Sequence, residues 1–383
     1  MIIKNSLIYD AIHSTPFIGD IVTENGKLLQ IGGTASPSGS ETIIDGTGLR
    51  AYPGFVDAHC HVGLDSYGGA TGGSVDYNEH GDFCCPQMRG IDSYNPLDPS
   101  VRLGLEGGVT TVGTGPGSAN VLGGTFFAVK LYGNCVDEAV IKPAVAMKCA
   151  FGENPKRCYK EKGNSTRMST ASVLRKALFE ARDYMLRVEA AGEDYAKRPK
   201  FDMKMEAMIP VLKKEIPLKA HAHRADDILT AIRIAKEFDV ALTIEHCTEG
   251  HLIVDQLVKA GYPVAIGPTF GNASKMELWN KSWTTPGILS AAGIRVSIIT
   301  DAPVTPQHYL PLCAGLAVKA GMDPMKALEA ITINPARHLG ISDRVGSLEI
   351  GKDADIVLSE GDPLVSDSKI RKVIADGILL VDM

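Results

Sequence analysis

Residues 1 to 50 carry short apolar runs, Met1–Ile8, Ile18–Thr23 and Leu28–Ile31, set apart by Gly, Asn and Ser turn signals. That pattern predicts a small antiparallel sheet. From residue 51 the rhythm changes, and brief apolar runs alternate with stretches of helical period, the signature of parallel β/α units closing into a barrel. The predicted strands are Ala51–Ala58, Val109–Thr114, Lys142–Met147, Leu218–Ala220, Ala241–Glu245, Pro263–Ile266 and Arg295–Thr300, each ending in polar residues where a loop begins. Between them, Ala225–Phe238 sets Ile228, Ala231, Ile232, Ala235 and Phe238 at helical spacing, and Asp323–Ile333 does the same. After Pro335 the strand-and-turn text returns through Gly346–Leu358, Ile370–Ala375 and Ile378–Val381. The two ends therefore read as one discontinuous β-sandwich domain, 1–50 with 343–383, appended to a barrel over 51–342.

Composition narrows the function classes. A chain of 383 residues accommodates one barrel and an accessory domain, and its 44% apolar and 22% charged residues are those of an ordinary globular protein. No apolar run approaches a membrane span and the amino terminus lacks a secretory signal, so a cytoplasmic protein is expected. The eight cysteines show no CxxC spacing and read as reduced thiols. A net charge of −6 with dispersed basic residues offers no footprint for nucleic acid or an anionic membrane. The expected partner is a small-molecule substrate, and the expected assembly a homo-oligomer.

The strongest chemical signal is Pro53-Gly54-Phe55-Val56-Asp57-Ala58-His59-Cys60-His61, at the end of the first barrel strand. Side chains on a strand alternate faces, so Asp57, His59 and His61 point the same way, and both imidazoles can reach one metal. A bare HxH is a weak motif; its position gives it weight, because barrel enzymes set catalytic groups at the carboxyl ends of strands. Four further strand ends carry ligand-type residues: Ala146-Met147-Lys148-Cys149-Ala150-Phe151-Gly152-Glu153-Asn154, Lys219-Ala220-His221-Ala222-His223-Arg224, Thr243-Ile244-Glu245-His246-Cys247 and Ile298-Ile299-Thr300-Asp301-Ala302-Pro303. Any one of them alone could cap a carbonyl or open a turn. Their joint occurrence argues for a metal site.

Together these residues resemble the amidohydrolase superfamily, in its imidazolonepropionase-related and prolidase-like branch. The matching features are PGFVDAHCH at 53–61, GVTTV at 108–112, GPGSANVLGG at 115–124, KAHAH at 219–223, TIEHC at 243–247, TDAP at 300–303 and NPARHLGISDRVGSLEIGKDADIVL at 334–358. The resemblance implies a (β/α)8 TIM barrel, an α/β fold, with one or two divalent ions, zinc foremost. It places His59 and His61 on the more buried metal, with Asp301 completing that site and handling protons, and His221 and His246 on a second; Asp301 and His246 are the catalytic residues. His221 is preferred to His223 because the ligand precedes Ala in a Lys-x-His-Ala context, which leaves His223 for substrate. Lys148 is the candidate bridge, as a carbamate formed with carbon dioxide, since an ammonium cannot bind a cation. The alternatives stay open: an ordinary lysine paired with Glu153, Glu153 itself as ligand, or a mononuclear site.

The implied reaction is hydrolysis of a C–N bond in an amide, cyclic amide or peptide-like substrate by metal-activated water. A mononuclear deaminase or imidazolone-type hydrolase is the alternative, and a non-catalytic scaffold of the same fold a second one. The long segment Leu64–Asp98, with His80, Cys84, Cys85 and Arg89, is a lid candidate. Arg89 and Arg224 are candidates to grip a substrate carboxylate. Gly113–Ser118 lacks the lysine of a phosphate-binding loop and reads as a tight loop lining the site.

Overall fold

The computed structural model describes residues 1–39, 41–65, 67 and 75–383. Strands β1 (Ile2–Ile8), β2 (Phe17–Glu24), β3 (Lys27–Ile31), β4 (Ile43–Asp45) and β5 (Arg50–Pro53) open the chain. Eight strands follow: β6 (Phe55–Cys60), β7 (Val109–Thr114), β8 (Leu122–Lys130), β9 (Val140–Ala150), β10 (Leu218–Ala222), β11 (Leu242–His246), β12 (Val264–Ile266) and β13 (Val296–Ile298). The last three are β14 (Ile356–Glu360), β15 (Lys369–Ala375) and β16 (Ile378–Asp382). Strands from the two ends hydrogen-bond as one eight-stranded sheet, β16-β15-β14-β5-β1-β2-β3 with β4 on β1, over an apolar core of its own built from Ile3, Ile21, Ile356 and Ile374 among others.

The remaining eight strands pair in sequence order, β6 through β13. Every residue of β6, β7, β10, β11, β12 and β13 is buried, as expected for strands covered on both faces. The sheet closes through backbone bonds on both sides of the seam: Val56 N–H to Ile331 O at 2.8 Å and Ile298 N–H to Ala330 O at 2.8 Å, then His61 N–H to Ala302 O at 2.7 Å and Asp301 N–H to His59 O at 3.2 Å. This (β/α)8-type barrel with a separate terminal sheet is the architecture expected from the sequence.

Three local features differ from expectation. β8 runs antiparallel to both β7 and β9, because the links on either side of it, with only a single helical turn at Val136–Ala139, are too short for the crossover that parallel strands need. The expected strand Ala51–Ala58 divides at Gly54, so that β5 pairs with β1 and β14 while β6 enters the barrel. The expected helix Asp323–Ile333 is two helices, Pro324–Glu329 and Ile333–Leu339, with Thr332 between them in a non-helical conformation. The carbonyls of Ala330 and Ile331 are thereby freed for the barrel seam. The helix Ala225–Phe238 matches its expected bounds and buries Ile228, Ala231, Ile232, Ala235 and Phe238. Among the described residues no helix is long and apolar enough to cross a membrane.

Candidate metal centre

Five strand ends bring six chemical side chains to one mouth. His59 lies in β6 and His61 just beyond it, Lys148 is near the end of β9, His221 near the end of β10, His246 ends β11, and Asp301 follows β13. All five of these imidazole and lysine side chains are buried, and Asp301 is nearly so. Asp301 Oδ1 lies 3.3 Å from His61 Nε2 and 3.6 Å from His59 Nε2. The ligand atoms of His59, His246 and Asp301 fall within 4.8 Å of one another, as do those of His221, His223 and His246. His246 (φ 69°) and Asp301 (φ 53°) both adopt left-handed backbone, a strained state for side-chain-bearing residues that concentrates at functional sites.

Each imidazole is oriented from behind through Nδ1. His59 Nδ1–H donates to Glu245 Oε2 at 2.9 Å, His61 Nδ1–H to Gly115 O at 2.8 Å and His246 Nδ1–H to Gly267 O at 2.7 Å. His221 Nδ1 meets the Ser118 hydroxyl at 2.9 Å and His223 Nδ1 the Thr248 hydroxyl at 2.8 Å. This is the outer-shell pattern that fixes a tautomer and leaves Nε2 as the lone-pair donor. Burial holds His59, His221 and His223 well below their ordinary pKa and His246 at about 4, so these rings are neutral near pH 7.

The fit to a cation can be tested on two atoms. Among the described residues, His221 Nε2 and His246 Nε2 are buried with no hydrogen-bond partner, a condition that costs about 1–3 kcal/mol per group when nothing meets it. A cation facing both removes that cost. Neutral imidazoles beside a carboxylate suit zinc or a similar divalent ion. His223 stands in the same cluster, with Nε2 4.0 Å from Glu277 Oε1.

Lys148 has no carboxylate partner within ion-pair reach among the described residues. Its Nζ donates to His59 Nε2 at 3.1 Å and lies over the Phe126 ring, and burial pushes its pKa down to about 7. The pairing with Glu153 does not form: Glu153 opens the helix Glu153–Cys158, its backbone N–H donates to Glu277 at 2.9 Å, and it stands outside the donor cluster.

A cavity of about 450 Å³ opens above the centre, lined by His61, His221, His223 and Asp301 below and by Asn78, His80, Arg157 and Lys275 higher up. Arg89 and Arg224 are not brought to it. A neighbouring acid claims each guanidinium: Arg89 forks onto Asp92 at 2.7 and 2.9 Å, and Arg224 onto Asp226 at 2.6 and 2.9 Å. Within the lid candidate, Ser66 and residues 68–74 lie outside the described residues, while Tyr77 stacks on His61 with ring centroids 4.7 Å apart. The sequence reading passed over Arg157, Lys275 and Thr248, and placed Ser118 in a loop lining the site without giving it a partner. Arg157 had one usable signal, its place on the first helical turns after the strand that carries Lys148.

The sequence model of the Amidohydrolase family matches residues 50–380. The chain belongs to the amidohydrolase family. Over 96% of its length it is 28% identical to the amidohydrolase tasK of Hapsidospora irregularis, of which it spans only 40%. It is 23% identical to a 5-methylthioadenosine/S-adenosylhomocysteine deaminase of Desulforudis audaxviator, across 94% of this chain and 84% of that one. Among solved structures, an amidohydrolase from Thermotoga maritima superposes on this amidohydrolase-family chain with a TM-score of 0.95 at 40% identity, covering 100% of both.

Proposed function

We propose that this chain hydrolyses a C–N bond of a small amide-like molecule, with catalysis in the barrel over 51–342 and zinc at its centre. The observation that carries this reading is that His59, Asp301 and His246 form one donor cluster, with His61 against Asp301, and share His246 with a second cluster that holds His221, two of these buried imidazole nitrogens being unpartnered among the described residues. His59, His61 and Asp301 would hold one ion, and His221 and His246 a second. A divalent ion bound there supplies Lewis acidity, making water nucleophilic near neutral pH and stabilising negative charge on the group under attack.

The chain's own residues do the rest. Burial disfavours charge on Asp301, but the imidazoles of His246, His61 and His59 outweigh it and hold the carboxyl below the usual carboxylate range, so it is ionised. Asp301 takes the proton of the attacking water and passes it to the leaving nitrogen, which departs as a neutral amine. Lys148, with a share of neutral amine near pH 7, adds through its nitrogen lone pair to carbon dioxide. An N–C bond forms, one C=O pair moves onto oxygen, and a proton leaves the nitrogen to solvent, giving an anionic carbamate that suits a bridge between two cations.

A one-ion centre of the deaminase or imidazolone-hydrolase kind is the second reading, favoured by the fact that His246 belongs to both donor clusters. Metal analysis of the purified protein, with intact mass of the native chain and a screen of amides and aminated heterocycles, separates the readings. Two ions and a carbon dioxide adduct on Lys148 are expected; one ion favours the second reading; a folded, metal-free, inactive protein rejects both in favour of a scaffold. Asp301→Asn is expected to retain metal and lose about 10²–10⁴-fold in kcat. Full turnover in that variant rejects the proton shuttle.

A further inference from the structure

The upper wall of the cavity is unevenly charged. Asp301, at the floor, is the only carboxylate among its described lining residues, whereas Arg157 and Lys275 both line the mouth. These two cations are in different states. Lys275 is mostly buried and its charge is spoken for: Nζ lies 2.7 Å from Glu277 Oε1 and donates to Asn154 Oδ1 at 3.0 Å. Arg157 is exposed toward the cavity and takes part in no ion pair or side-chain hydrogen bond among the described residues.

The position of Arg157 is held from several sides. It sits on the helix Glu153–Cys158, whose start is bonded to Glu277 through the Glu153 N–H. Glu277 is fully buried and also faces Arg167 at 3.7 Å, while Arg167 Nε–H is shared between the two Asp227 oxygens at 2.9 and 3.1 Å. The helix and the 275–278 turn are thus one braced unit. Arg157 shares the cavity lining with the imidazoles of His61, His221 and His223 and with the polar side chains of Asn78, His80 and Asn154.

We infer that this mouth seats a carboxylate carried by the substrate, with Arg157 as its specificity-determining contact, so that the preferred substrates are N-acyl amino acids or dipeptides rather than neutral amides. The inference rests on the reading of the cavity as the substrate site of a C–N hydrolase. A guanidinium offers a planar fork of donors that matches a carboxylate, and a cavity of about 450 Å³ holds a ligand of dipeptide size. The centre below adds to the positive potential when it carries its ions, which steers anions inward.

The test is calorimetric titration of the metal-loaded full chain with matched pairs: the N-acetyl forms of alanine, leucine, phenylalanine and proline, each as free acid and as carboxamide. At least one acid is expected to bind about tenfold or more tightly than its carboxamide. That preference is expected to vanish in Arg157→Gln and return in part in Arg157→Lys, with the thermal unfolding midpoint of each variant unchanged. Equal binding of acid and amide, a preference that survives Arg157→Gln, or no binding of any acid overturns the inference. Hydrolysis of the same compounds keeps the two readings apart. Turnover without acid preference removes the carboxylate seat and leaves the hydrolase, whereas acid-selective binding without turnover leaves the seat and removes the hydrolase.

Discussion

Glu245 shows how much of the centre depends on a residue that is no ligand in either reading. Its fully buried carboxylate accepts from His59 Nδ1 at 2.9 Å, Lys219 Nζ at 2.8 Å, His338 Nε2 at 2.8 Å and Thr243 Oγ1 at 2.8 Å. Burial by itself disfavours the charge, but Lys219 and His338 outweigh it and hold the carboxyl well below its ordinary pKa. Glu245→Gln keeps the shape, removes the counter-charge of Lys219, and turns an N–H toward groups that are themselves donors. We expect a loss of about 3–5 kcal/mol in stability by urea unfolding, the scale for a broken buried pair. Metal affinity should also fall about 10–100-fold in competition with a chelator, because His59 loses the partner that orients it. Unchanged affinity would show that His59 is oriented without Glu245. The motif TIEHC pointed to His246 and said nothing of its neighbour, for a physical reason. Alternation sends Glu245 and His246 to opposite faces of a regular strand, and His246 reaches the mouth where the strand ends in left-handed backbone. Arg89 and Arg224 misled for a related reason: a sequence shows an arginine but not that the acid two or three residues away has taken its fork.

At the scale of elements, the strands that carry the candidate ligands were legible because each is a short apolar run closed by polar residues; Val109–Thr114 and the helix Ala225–Phe238 have their expected bounds. β8 was not legible. It begins Leu122-Gly123-Gly124, the tail of a glycine-rich loop, and is buried on both faces, so neither alternation nor a turn boundary marks it. Gly54 is a break that the reading of Ala51–Ala58 as one strand ran through, although Pro53-Gly54 stands there in the sequence. A Cβ at Gly54 would stand 2.2 Å from Thr110 Oγ1 and 2.7 Å from its Cγ2, so the chain can pass from terminal sheet to barrel there only without a side chain. Gly54→Ala should therefore destabilise by about 1–3 kcal/mol, the usual cost of overpacking. Part of that loss should return when Thr110→Ala is combined with it, a coupling a double-mutant cycle reads directly. Additive losses would mean that the glycine serves backbone freedom and not close approach.

For the whole molecule, the question is what fixes the terminal sheet to a barrel whose chemistry lies at the other end. Lys130 closes β8 and pairs in register with Thr111 at the start of β7, at the end of the barrel opposite the candidate metal centre. Its buried ammonium contacts Asp355 at 2.7 Å and Asp353 and Asp376 at 3.2 Å, and Asp355 also accepts from Thr110 Oγ1 at 2.9 Å. Asp353 and Asp355 belong to the Gly-Lys-Asp-Ala-Asp run, so this part of the tail serves as a clamp. Asp353 has further cations in Lys27 at 2.6 Å and Arg344 at 2.8 Å, which leaves Asp355 the most dependent on Lys130. Lys130→Met should cost about 3–5 kcal/mol by calorimetric unfolding, since it strands a buried carboxylate. Adding Asp355→Leu should recover most of that loss, because exchanging both partners of a buried pair for apolar groups is often near neutral. Both variants should keep the wild-type metal content and, once folded, the wild-type KM. A change in either would mean that the terminal sheet transmits strain along the strands to the ligands, and that the clamp and the centre act as one unit.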